Sequence, residues 1–132
     1  MNFDMSERQN ETPRALLLAL RSKGLPRGMI AAVLGRSPHS LRRWETGERN
    51  PRLAPRRRIR ATFRALGELN GMALARAVRV RCCKNACDES LPVARRLEAA
   101  RGVARAAEMM VKLGNDLFAR LDRMDEQDAA KG

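Results

Sequence analysis

The run Leu34-Gly35-Arg36-Ser37-Pro38-His39-Ser40-Leu41-Arg42-Arg43-Trp44-Glu45-Thr46-Gly47 decides how this chain reads. Glycine accepts a positive φ without steric penalty, so Gly35 can end one helix and turn the chain sharply. Ser37-Pro38 starts another. The Ser hydroxyl can accept a hydrogen bond from a backbone N–H of the new first turn, and Pro at the first helical position gives up none. Leu41 and Trp44 then point inward, and Gly47 stops the helix. Upstream, Met29, Ile30, Val33 and Leu34 are spaced to face a core from a helix over 26–34. The spacing therefore predicts helix, three-residue turn, helix.

Outward from this corner the pattern stays helical. Thr12-Pro13 repeats the starting device, Leu16, Leu17 and Leu20 make an apolar face, and Gly24 closes that helix. Asn50-Pro51 and Pro55 keep 48–54 extended, because a residue before Pro is disfavoured in the helical region. A fourth helix is expected over 55–69, with Ile59, Phe63, Leu66 and Leu69 on one side and Arg56, Arg57, Arg58, Arg60 and Arg64 largely on the other. Asn70-Gly71 breaks it. A fifth runs over 72–83, with Leu74, Val78 and Cys82 at steps of four, and 84–90 reads as a polar connection. From Leu91, with Pro92 in the first turn, helical patterning continues for some 35 residues and is expected to fray toward Gly132. Within it Leu97, Ala100, Ala104, Ala107, Val111, Gly114, Phe118 and Leu121 recur at steps of three and four, a heptad seam. That seam fits either a second copy of the chain or an intramolecular contact with the 72–83 helix.

Composition agrees with an all-α fold. At 132 residues the chain holds one core plus an extension, and 3% aromatics without any Tyr disfavour a large sheet. The expected division is 12–83, a DNA-binding head, and 84–132, a helical segment for self-association or partner binding. The charge is unevenly placed: residues 1–83 carry 18 Lys/Arg against 6 Asp/Glu, whereas 84–132 carry 9 of each. All the net charge of +12 thus lies in the head, as a polyanion-binding domain requires. An Arg bias of the coding sequence is the bland alternative, since 23 of the 27 basic residues are Arg. No apolar run approaches the 18 residues of a membrane span, and 1–11 lacks the basic start and apolar stretch of a signal peptide, so a cytoplasmic protein is expected. Cys82, Cys83 and Cys87 lack zinc-knuckle spacing and the single His, His39, is remote, so free thiols and no metal are expected.

The stretch from Gly24 to Pro51 resembles the Cro/phage-repressor (XRE-like) helix-turn-helix regulators, with the likeness extending over about 13–69. It is carried by Ala31, Leu34-Gly35, Leu41 and the run Trp44-Glu45-Thr46-Gly47-Glu48-Arg49-Asn50-Pro51, which are specific only when taken together. The resemblance implies a lambda-repressor-like five-helix domain, followed here by a C-terminal helical extension, that binds double-stranded operator DNA, usually as a homodimer on a palindrome. It also implies that the Glu matching Glu45 pairs with an Arg of the first helix. Arg21 is the nearest match, standing one place closer to Gly24 than the family pattern has it. The family often carries Gln at the positions of Arg27, Pro38 and His39, and those departures leave the operator sequence open.

The residues assign roles of their own. Ala31, Gly35, Leu41 and Trp44 are structural, and the resemblance implies the same of Glu45. Pro38, His39, Ser40 and Arg43 lie where a recognition helix meets base edges. Arg43 suits bidentate contact with guanine O6 and N7, and His39 can donate to a guanine or to a phosphate. The resemblance implies that Arg27, at the start of the second helix, is the phosphate contact on one flank, and Arg42, Thr46 and Arg49 are candidates for the other. A transcriptional repressor is the leading expectation. An antitoxin-like regulator that binds a partner protein through 91–124 is the alternative. A sequence-indifferent nucleoid or RNA binder fits less well, because stacking aromatics are scarce. No phosphate loop or cofactor motif is present, so neither an enzyme nor a cofactor is expected.

Overall fold

The computed structural model describes residues 12–131, and the stretch read above for a signal peptide lies outside them. Among the described residues there are six helices and no strand: α1 (Pro13–Ser22), α2 (Arg27–Leu34), α3 (Pro38–Thr46), α4 (Leu53–Leu66), α5 (Gly71–Ala86) and α6 (Val93–Lys131). Among the described residues no helix is long and apolar enough to cross a membrane.

The starting and stopping devices act locally. Thr12 Oγ1 accepts from Ala15 N at 3.2 Å and Ser37 Oγ accepts from Ser40 N at 3.0 Å, each opening a helix whose first residue is Pro. Gly35 (φ +67°) and Gly47 (φ +78°) close α2 and α3 in the left-handed region, where a Cβ would be strained. Several boundaries differ from expectation. α4 opens at Leu53, two residues ahead of Pro55, because a Pro in the first turn gives up an N–H that has no intrahelical partner anyway. α6 remains helical to Lys131 instead of fraying.

α2 is the hub. Met29 through Leu34 are all buried, because α1, α3 and α4 surround one side and α5 and α6 cover the other. Leu17, Leu20, Leu25, Leu41, Ile59 and Val78 complete the centre, while Trp44 and Phe63 pack against it half-buried. Burying such side chains stabilises by roughly 1.5–3 kcal/mol each before chain entropy is counted.

The region expected to be a polar connection is instead the last turn of α5. Asn85, almost wholly buried, donates through Nδ2 to Ala32 O and Val33 O, both at 2.8 Å. These carbonyls belong to the last turn of α2, which lacks intrahelical donors, so a side chain of α5 caps α2 from outside. Extending α5 through Ala86 is what carries Asn85 there. Asp88 then accepts from both the backbone N and the Oγ of Ser90 in the turn toward α6. Those two bonds hold its carboxyl below the usual carboxylate range. The expected dividing line at 83/84 therefore falls inside α5, and Ala106 of α6 belongs to the same buried cluster as α1 to α5.

α6 packs through a face other than the predicted seam. Ala99, Gly102 and Ala106 are its buried residues, with Val103 and Met109 against the core. A Cβ on Gly102 would lie 2.7 Å from both Ala32 Cβ and Cys82 Sγ, so this glycine is where α6, α2 and α5 approach most tightly. The intramolecular reading of the seam is thereby corrected: Leu97 (57% exposed), Val111 (63%) and Phe118 (66%) face away from α5. From Asn115 to Lys131 every residue is exposed, an overhang of about 25 Å at 1.5 Å per residue.

Candidate nucleic-acid interface

α3 is clamped by its back and open at its front. Leu41 is fully buried and Glu45 is 6% exposed, and these two, one turn apart, anchor the inner face. At 100° per residue His39, Arg43 and Thr46 share the opposite face, with Arg42 and Ser40 on its flanks, while Pro38 falls on the same side as Glu45. His39, Arg42 and Thr46 are exposed and Arg43 is half-buried. Arg36 in the turn and Arg49 after the helix are exposed beside this face.

Local contacts hold several of these side chains in the free protein. Ser37 Oγ donates to Ser40 Oγ at 2.9 Å, so Ser40 takes part in the cap. Thr46 Oγ1 donates to Arg43 O at 3.2 Å, and Arg49 N donates to the same carbonyl at 3.2 Å. Arg43 Nη2 lies 3.4 Å from Glu48 Oε1, an exposed carboxylate, while Arg43 Nε is buried without an acceptor among the described residues. Its guanidinium is thus lightly tethered, because an exposed pair of this kind is worth well under about 1 kcal/mol.

Glu45 is the electrostatic centre of the corner. Arg21 Nη1 approaches its Oε2 at 3.2 Å, the pairing that the resemblance implies. Arg27 also reaches Oε2, through Nε at 2.9 Å and Nη2 at 2.8 Å, which the sequence reading did not anticipate. One buried carboxylate oxygen therefore joins α1, α2 and α3 and fixes the tilt of α3 on the core. Arg27 remains about one-third exposed on its side chain, so a phosphate could meet only the part of its guanidinium that Glu45 leaves uncovered. Its first role is to hold the corner.

A second basic surface lies along α4, where Arg56, Arg57, Arg58, Arg60 and Arg64 are all exposed. Arg58 turns back to donate to Leu34 O at 3.3 Å, the end of α2. With Arg36 and Arg95 it lines an open groove of about 530 Å³ between the turn, α4 and the start of α6.

The cysteines fall into two environments. Cys82 is buried, and desolvation, reinforced by neighbouring Cys83, pushes its thiol up to about 11, so it stays protonated and serves as a small core residue. Cys83 and Cys87 are exposed free thiols one helical turn apart. Among the described residues no group of His, Cys, Asp and Glu is arranged to hold a metal ion.

Comparison with protein-family models, with curated proteins and with solved structures finds no match for this chain.

Proposed function

We propose that this protein is a sequence-specific, double-stranded-DNA-binding transcriptional regulator of repressor type, with a lambda-repressor-like head that enters the major groove through α3. The observation that carries this reading is the polarity of α3. Its back is locked by Leu41 and by the Glu45 clamp, while its front presents His39, Arg43 and Thr46, with Arg42 on the flank. A rigid helix of this size with donors on one side fits a groove about 12 Å wide, and Arg43 can address guanine O6 and N7 together. The exposed arginines of α4 and of the flanking loops, on a chain of net charge +12, supply phosphate attraction. Pro38 offers only apolar contact, and Ser40 has a hydroxyl already engaged with Ser37, so base reading rests mainly on His39 and Arg43.

Selection of bound fragments from the source genome, followed by binding to the recovered site and to its scrambled version across a salt series, tests the proposal. A preference of at least about 1,000-fold for the recovered site is expected. Equal affinity for both duplexes would leave only a sequence-indifferent polyanion binder. The antitoxin-like alternative shares the same head and differs in what occupies α6: a foreign protein in that case, another copy in the reading developed next.

A further inference from the structure

We infer that the outward stripe of α6 is a self-association surface on which two copies of the chain pair antiparallel. This inference stands on α6 alone and does not require the head to bind DNA.

The stripe is apolar and long. Taking Leu97 as a heptad a position, the a series is Leu97, Ala104, Val111 and Phe118 and the d series Ala100, Ala107, Gly114 and Leu121, while Met110, Leu117 and Met124 at g widen it on one side. Four heptads of this pattern are enough to specify a coiled coil. Leu97, Val111, Leu117, Phe118, Leu121 and Met124 are each 45–66% exposed, and none of the described residues covers them. Contiguous apolar surface of this extent marks an interaction site. The half of α6 beyond Gly114 is exposed at every residue and has no neighbour among the described residues, although an isolated helix of that length is marginal in water.

Charge identifies the occupant and its direction. Residues 93–105 hold Arg95, Arg96, Arg101 and Arg105 against Glu98 alone, whereas 116–128 hold Asp116, Asp122, Asp125, Glu126 and Asp128 against Arg120 and Arg123. This runs against the helix macrodipole, which favours acids at the N-terminal end and bases at the C-terminal end. A second α6 laid antiparallel reverses the disadvantage, bringing the acidic end of each helix beside the basic start of the other. A parallel pair would stack Arg on Arg and Asp on Asp. Size agrees as well: antiparallel register about the middle of the stripe sets Phe118 against Ala100, Val111 against Ala107, Leu121 against Leu97 and Ala104 against Gly114, large facing small at the first two of these layers. Asp125 and Asp128, which continue the a and d positions, end the apolar run where the partner's arginines begin.

The full-length chain, with Cys83→Ser and Cys87→Ser to silence the exposed thiols, is expected to sediment as a dimer of twice 14.8 kDa at micromolar concentration. Val111→Asp with Phe118→Asp, both on exposed positions, should weaken the dimer by roughly 100-fold or more without loss of helical signal from the folded body. Direction is read by disulfide trapping. In the antiparallel pair, Leu97→Cys and Leu121→Cys proteins should cross-link when mixed, and each should fail to cross-link with itself. A monomer throughout the concentration range overturns the proposal, as does self-cross-linking of Leu97→Cys, which requires a parallel pair. A dimer that survives the double Asp variant places the contact elsewhere and overturns it too.

Discussion

The fronts of α3 and α6 are made the same way and present opposite chemistry. Each helix is fixed by its back, α3 through Leu41 and the Glu45 clamp, α6 through Ala99, Gly102 and Ala106, and each leaves the other side open. The front of α3 is polar and cationic, whereas the front of α6 is apolar between a basic start and an acidic end. A free helical face is therefore not a function in itself. Which side chains it carries selects the partner, in our proposals a polyanion for the first and another amphipathic helix for the second, and the clamp behind each determines how accurately it is presented.

If the clamps matter as much as the faces, damage to the backs should be the largest effect. Leu41→Ala removes the fully buried anchor of α3, and a loss of about 2–5 kcal/mol is expected from the missing contacts and the cavity left behind. Native stability is commonly only about 5–15 kcal/mol, so both faces should fail together, with a lower midpoint in urea and weaker DNA binding. An unchanged midpoint would mean that α3 is not seated as described.

Gly102→Ala is the matching cut on α6. The added methyl meets Ala32 Cβ and Cys82 Sγ at 2.7 Å, so the helices must separate, at about 1–3 kcal/mol. Ala104→Leu, two residues away on the open side, should cost the folded body nothing measurable. Chemical denaturation of the two variants, with dimerisation suppressed by Val111→Asp and Phe118→Asp, compares the two faces of one helix directly. Equal losses would erase the distinction between them.

These pairs also show what could be read from residues alone. The helix starts at Thr12-Pro13 and Ser37-Pro38 and the stops at Gly35 and Gly47 depend on local backbone chemistry, so they were legible. The all-helical class followed from periodicity. The packing face of α6 was not legible, because Ala and Gly are indifferent to burial in a pattern count while the larger residues drew the eye to the open side. Asn85 looked like a loop residue, since its value lies in two carbonyls more than 50 positions away in sequence. At the α3 corner the Arg21–Glu45 pair was recoverable through the family likeness, but the second claim on Glu45 by Arg27 was not. Arg27 has the charge and position of a phosphate ligand, and only three-dimensional proximity reveals its other partner.

That double engagement separates two variants which the sequence alone would treat as differing only in DNA contacts. Arg43→Ala should cost about 1–3 kcal/mol on the cognate site, relax preference at one base pair and leave the urea midpoint nearly unchanged, because its ion pair is exposed. Arg27→Ala should weaken cognate and random duplexes alike and also lower the midpoint, by about 1 kcal/mol once solvent screening of its partly exposed guanidinium is allowed for. Binding and denaturation measured on both proteins test the roles separately. A stability loss confined to Arg43→Ala would exchange them.

The smallest effect concerns the tether on the reading arm. Glu48 holds the Arg43 guanidinium at 3.4 Å in the free protein, and a base edge must compete with it. Glu48→Gln removes the competing charge and also one negative charge near the phosphates, so affinity should rise by a few tenths of a kcal/mol. Two origins are mixed in that gain. The part due to general charge applies to any duplex and fades with salt, whereas the part due to releasing Arg43 applies only where a guanine awaits it. Titrating Glu48→Gln in the Arg43→Ala background isolates the first. A gain that is the same with and without Arg43 would show that the pair does not restrain the arm at all.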